Sequence, residues 1–261
     1  MDKTNDKSVV KIVLKGAVVF FAVVAIGAAA FAYQTYKSNE HNCPKTEQDN
    51  PPLDYKPAIY LYPDKEQKVE IKLAKSIKYL NTIPNYHKGW VVMAKPTGIL
   101  YDLQPQYTDC EKLPFDKFGF EYSKKACENN TYPYIFWDGV QITKPLPQKD
   151  VGFIVKKEEI EDFLNDSADA LKMNKDEKAE FMSYWTNMMR EKGYENFRVY
   201  FFQNEEVDDY LPIKVSPKPK SSNRVQIVIN QAQEDEQIEP QELIPFIREG
   251  FTLVEWGGVI K

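Results

Sequence analysis

The sequence predicts an α+β fold on three observations. Strand-like segments fill the first half, two amphipathic helical segments stand near the middle, and strand-like segments return at the C-terminal end. The expected architecture is mostly antiparallel sheet with a two-helix hairpin packed on one face, preceded by one N-terminal transmembrane helix. Composition agrees with this class. Of 261 residues, 43% are hydrophobic and 13% aromatic, and Tyr (16) and Phe (15) far outnumber Trp (4), as suits packing on a pleated surface. A net charge of −5 provides no basic field for a phosphate backbone, which excludes a nucleic-acid partner.

The first element is the anchor. "GAVVFFAVVAIGAAAFAY" (16–33) carries no charge and approaches the ~20 residues a helix needs to cross a bilayer. Lys3, Lys7, Lys11 and Lys15 precede it, and only Lys37 follows closely. The positive-inside rule therefore keeps 1–15 in the cytoplasm, makes 16–36 a signal anchor, and places the rest outside. A cleaved signal peptide is the alternative, because Ala30-Phe31-Ala32 fits a processing site before Tyr33. Either route exports the remainder across a bacterial cytoplasmic membrane, tethered if the segment is retained and secreted if the chain is cut between Ala32 and Tyr33. Residues 37–55 are polar, contain Pro44, Pro51 and Pro52, and read as a flexible tether.

The exported domain is expected over 56–261. Strands are predicted at 58–62, 68–74, 90–95 and 99–103, where residues alternate or run β-branched between turn signals. "YPDKEQ" and "KPTG" supply two of the turns. Two further strands are expected at 134–137 and 152–155. From Lys157 the period changes: Ile160, Phe163, Leu164 and Leu171 share one helical face, and Glu158, Glu159, Glu161 and Asp162 load the first turns. Asn174 with Glu177 makes a capping-box start for a second helix, whose apolar stripe is Phe181, Met182, Trp185, Met188 and Met189, and Gly193 is its stop. Strands resume at 198–202, 211–216, 225–230 and 251–256.

Three cysteines bear on the compartment. Cys110 and Cys127 flank a bent excursion within 104–131, and an exported location permits a bridge worth ~3 kcal/mol between them. Cys43 is left in the tether, where it can pair with its twin in a second chain. No C-x-x-C occurs, so neither a thioredoxin-like site nor a thiolate zinc cage is expected, and no cofactor is.

Several segments taken in order, "KPAIYLYP", "YPYIFWDG", "GFIV", "EFMSYWTNMM" and "GFTLVEWGG", resemble an uncharacterised bacterial domain family whose members often follow an export or anchor segment. The resemblance spans nearly all of 56–258 and implies an exported domain, but no activity. The stretch 104–131 departs from the family pattern as an insertion, so the disulfide expectation belongs to this chain alone.

Chemistry is sparse. His41 sits in the tether and His87 in a turn, and no G-x-S-x-G, H-E-x-x-H or phosphate loop occurs. Asp138 in "FWDG" and Glu255 in "EWGG" each adjoin a tryptophan and a glycine at a strand end, the arrangement two carboxyls on a sugar would use. Ordinary turn and core roles compete with it. Glu205, Glu206, Asp208 and Asp209 offer oxygen ligands for calcium, but lack the EF-hand spacing and read as a solvated loop. Arg224 either grips an acidic group or makes a surface ion pair. The expected function is non-catalytic binding or scaffolding at the cell envelope, toward a glycan or a protein, through Tyr60, Tyr62, Trp137, Trp256 and Arg224. A carbohydrate-active hydrolase using Asp138 and Glu255 is the alternative. Tyr60 and Tyr62 face either the helical layer or solvent.

Overall fold

The computed structural model of the protein describes residues 53–104, 109–111 and 124–261, all within one compact unit, Pro51–Lys261. The anchor expected over 16–36, most of the tether, and Cys43 lie outside the described residues. Among the described residues no helix is long and apolar enough to cross a membrane.

Strand β1 (Leu53–Tyr62) begins inside the stretch expected to be tether. Strands β2 (Gln67–Leu73), β3 (Ile77–Ile83), β4 (Trp90–Ala94) and β5 (Leu100–Asp102) follow. A short helix α1 (Lys124–Glu128) precedes β6 (Thr131–Tyr132) and β7 (Ile135–Gln141). Strand β8 (Val151–Lys156) then leads through a 3₁₀ turn (Lys157–Glu159) into helices α2 (Ile160–Ala170) and α3 (Lys175–Lys192). The chain ends with β9 (Asn196–Gln203), α4 (Glu205–Tyr210), β10 (Ile213–Ser216), β11 (Ser221–Gln231), β12 (Glu239–Pro240) and β13 (Thr252–Ile260).

Eight strands form one sheet in the order β12-β8-β9-β11-β13-β1-β7-β3, and five form a second in the order β10-β2-β4-β5-β6. The pairing is antiparallel except for β11 with β13 and β12 with β8, so the large sheet is mixed. That exception has a simple cause: after β11 the chain crosses over through 232–251 before returning as β13, and a crossover delivers a parallel neighbour.

Strand β13 lies inside the large sheet and every one of its residues is buried. A strand covered on both faces reads as a continuous apolar run, which "TLVEWGGVI" does apart from Glu255. Helix α3 covers one face, where the Phe181 ring meets Trp256 edge-on with centroids 5.7 Å apart. Close approach here requires Gly258, since a Cβ there would stand 2.1 Å from the Ile227 carbonyl oxygen and 2.9 Å from Trp185 Cζ2. Burial of such aromatic side chains is worth ~2–3 kcal/mol each, so the hairpin is held by its apolar stripe rather than by helix propensity.

The ends of α3 match the sequence reading. The Asn174 side chain accepts from the Asp176 and Glu177 amides, Glu177 returns a bond to the Asn174 amide, and Gly193 closes the helix in the left-handed conformation (φ 67°). Five elements were not expected, of which α1 falls in the 104–131 excursion and β6 at its end. Strand β3 has only its end residues buried, so no two-residue alternation marks it. Helix α4 falls on the acidic stretch read as a loop. Strand β12 is a two-residue edge containing a proline.

Candidate functional site

The sequence singled out Glu255 and Arg224 separately, and the fold brings them together. They occupy matched positions on parallel strands β13 and β11. Both are fully buried. Arg224 Nε donates to Glu255 Oε2 at 2.5 Å, Nη1 to Asp208 Oδ1 at 2.6 Å, and Nη2 to the Leu211 carbonyl at 2.8 Å. Glu255 Oε1 accepts the Trp137 indole N–H at 3.1 Å. A guanidinium whose donors are taken up in this way is a framework cation holding α4 and the entry to β10 against the large sheet.

This network corrects several expectations. Strand alternation puts the Asp138 side chain on the opposite face from its neighbour Trp137, and so from Glu255. Asp138 instead accepts from the Asn81 amide at 2.7 Å and from Asn81 Nδ2 at 2.8 Å, and burial pushes its carboxyl above the usual range against those bonds. Two carboxyls divided by a sheet cannot flank one sugar. Trp137 and Trp256 are fully buried, as is Arg224, so they offer no contact surface. Tyr60 is buried too, and Tyr62 is mostly covered: both face the helical layer, where the Tyr62 hydroxyl accepts from Asn174 Nδ2 at 2.9 Å and Arg248 lies over its ring.

The acidic stretch is helix α4, and its carboxylates answer to cations. Glu206 pairs with Lys149 at 2.7 Å, Asp208 with Arg224 at 2.6 Å and Asp209 with Lys144 at 2.5 Å. Among the described residues no group of three His, Cys, Asp or Glu side chains is placed to hold a metal. Cys110 and Cys127 are bridged, as expected, with an S–S distance of 2.02 Å. His87 lies exposed in the turn before β4.

One constellation was missed. Lys56, in a bulge of β1 with φ 50°, has its side chain fully buried. Its ammonium lies 3.4 Å from Glu180 Oε2 and is walled by the rings of Tyr184, Trp256 and Tyr134 at 4.8, 5.1 and 5.7 Å. The Tyr134 hydroxyl donates to the same Glu180 oxygen at 3.1 Å. Desolvation lowers the Lys56 amine from 10.5 to about 6, against the pull of Glu180. The rings favour the cation and act with Glu180. These residues come from "KPAIYLYP", "YPYIFWDG", "EFMSYWTNMM" and "GFTLVEWGG", so the segments that carry the resemblance meet here. The signal in the sequence was faint: Glu177, Glu180 and Tyr184 recur at helical spacing on the flank of the apolar stripe of α3.

A concave feature among the described residues lies elsewhere, beside α2. A cavity of about 350 Å³ is lined by Phe153 of β8, by Phe163, Asp166, Ser167 and Ala170 of α2, and by Gln241 and Leu243. Its origin is topological. Strand β8 pairs with β9 only as far as Phe153 opposite Val199. Beyond that point the Gln241 side-chain amide takes the place of a strand, accepting from the Phe201 amide at 2.8 Å and donating to its carbonyl at 2.7 Å. An amide fills less room than a strand, and the space left over is walled by Phe153 and Phe163, whose rings pack 5.2 Å apart. Nothing in the sequence marks this site, because no one of its contributing segments carries a binding motif.

No protein-family model, curated protein or solved structure matches this chain.

Proposed function

We propose that this chain is a membrane-anchored protein that presents its α+β domain on the outer side of a bacterial cytoplasmic membrane, where it binds a partner at the cell envelope without catalysing a reaction. The anchor and its lysine flank support the location. The binding role is carried by one observation, the open apolar cavity between β8 and α2. By contrast, Glu255, Arg224 and Lys56 lie inside the packing, where partners of the chain's own fold engage them.

Two measurements test this. Intact cells are treated with a membrane-impermeant maleimide after mild reduction, and Cys43 is expected to label without permeabilisation. Labelling only after permeabilisation refutes the outward orientation. Purified full-length protein is then screened against glycans, peptidoglycan fragments and solubilised envelope proteins, with turnover followed in parallel. Saturable binding that an Ala170→Trp substitution in the cavity wall weakens is the expected result. Turnover of any of these substrates, or binding indifferent to Ala170→Trp, refutes the reading.

A further inference from the structure

We propose that the cavity beside α2 is a docking site for a basic peptide segment of a partner protein, with one aromatic or branched aliphatic side chain seated in the cavity and Lys or Arg residues flanking it. The proposal rests on the binding role given above and names the chemistry of the partner.

The cavity wall is apolar. Phe153, Phe163, Ala170 and Leu243 line it, and the buried Phe201 ring stands behind Phe153 and Phe163 with centroids 6.3 and 6.4 Å away. Its volume of about 350 Å³ takes one large side chain, and such a side chain buries ~150–250 Å² on seating. Apolar surface continues along the same segment, where Ile244 and Ile247 are exposed at 54% and 62%. Its polar lining residues are Asp166, Ser167 and Gln241, of which Asp166 alone is charged.

The rim decides the partner. On α2, Phe163, Ser167 and Ala170 face the cavity at helical spacing, and Asp162, Asp166 and Asp169 form the adjoining stripe on the solvent side. Glu239 and Glu242 are exposed on the segment that contributes Gln241 and Leu243. Asp169 is engaged by Lys178 at 2.5 Å, and the nearby Glu236 by Arg198 at 2.9 Å. Asp162, Asp166, Glu239 and Glu242 make no ion pair among the described residues. An apolar socket with Asp166 in its wall, and further carboxylates on the segments that form it, attracts a cationic segment and repels the phosphate-rich polymers of an envelope. Charge complementarity thus selects a basic peptide over an anionic glycan or polyphosphate.

The test uses the full-length protein in lipid nanodiscs and three fluorescein-labelled peptides, KKFLKK, EEFLEE and KKGGKK, followed by anisotropy with polyphosphate as an anionic control. KKFLKK is expected to bind best, and to weaken as salt rises toward about 0.5 M. Ala170→Trp fills the socket from a solvent-exposed helix position and is expected to weaken KKFLKK by about tenfold or more. The double variant D162K/D166K reverses the charge on this side while keeping the apolar wall of Phe153, Phe163, Ala170 and Leu243, and is expected to weaken KKFLKK while strengthening EEFLEE. Unchanged far-UV circular dichroism and melting temperature show that both variants are folded. The proposal is overturned if the three peptides bind alike, if KKFLKK fails to bind at about 1 mM, or if folded Ala170→Trp binds it as wild type does. A chain that ignores KKFLKK yet binds an anionic or neutral envelope fraction overturns the docking chemistry alone. A chain that binds neither overturns the binding role with it.

Discussion

Replacing Lys56 with methionine and Glu180 with glutamine together is expected to stabilise the α+β domain at neutral pH and to flatten its response to pH. Burial holds the Lys56 amine at about 6 in the folded chain, against 10.5 when unfolded. Between those values the unfolded state carries a proton that the folded state lacks, so stability rises with pH, at up to ~1.4 kcal/mol per unit from this residue. Below about 6 both states are protonated and the full penalty is present, whereas above 10.5 neither is and the penalty is gone. From pH 7 to the unfolded value this amounts to ~5 kcal/mol, from which the three rings recover ~1–3. The net penalty removed is therefore on the order of 2–4 kcal/mol. Lys56→Met alone is the wrong experiment, because it leaves Glu180 partly buried without the amine that donates to it. Urea unfolding followed by circular dichroism, between pH 5 and pH 10, should show the double variant ahead of wild type at pH 7 and the two converging toward pH 10. Parallel curves across that range would mean that Lys56 keeps its charge when folded, and the reasoning would fail.

Three further perturbations test the framework. Glu255→Gln leaves the buried Arg224 guanidinium short of a charge partner and should cost ~3–5 kcal/mol in urea unfolding, with much of the loss recovered in R224M/E255M; a loss under ~1 kcal/mol would mean that the pair is not desolvated. Gly258→Ala sets a Cβ 2.1 Å from the Ile227 carbonyl oxygen and should cost ~3 kcal/mol or more, read as a lower urea midpoint with an unchanged slope. Removing the Cys110–Cys127 bridge, with a sequence separation of 17 residues, should cost ~3 kcal/mol, measured by urea unfolding of C110S/C127S against wild type.

How much of this was legible depends on where the residues lie. Helix α3 was read almost to the residue, because Asn174, Glu177 and Gly193 act within their own turn and the stripe from Phe181 to Met189 repeats at the helical period. Most strands with one face on the core were also plain, since alternation survives there, although the end of the wholly buried β13 was misplaced. Strand β3 was invisible for the converse reason. It sits at the edge of the large sheet with most of its residues exposed, and a bulge between Tyr79 and Asn81 breaks its register with β7. Helix α4 was missed because its acidic residues are bound by Lys144, Lys149 and Arg224, which lie far away in the sequence. The same limit hid the Lys56 cluster, whose parts are joined only by the fold.

The reading of Glu255 turns on a single misplaced strand end. Two glycines after Trp256 suggest a stop, and a carboxylate next to a stop suggests an exposed rim. The strand instead continues to Ile260, because Gly258 is the space into which Trp185 of α3 packs. Glu255 therefore falls at the middle of a strand buried on both faces. A carboxylate there must have a cation brought to it, and Arg224, opposite it on the parallel strand β11, is that cation. The conserved logic of a parallel pair, equal registers side by side, thus converts a candidate acid into framework. At the margin between β8 and Gln241, by contrast, the ladder ends early and an apolar hollow stays open, and it is on this hollow that the proposed binding role rests.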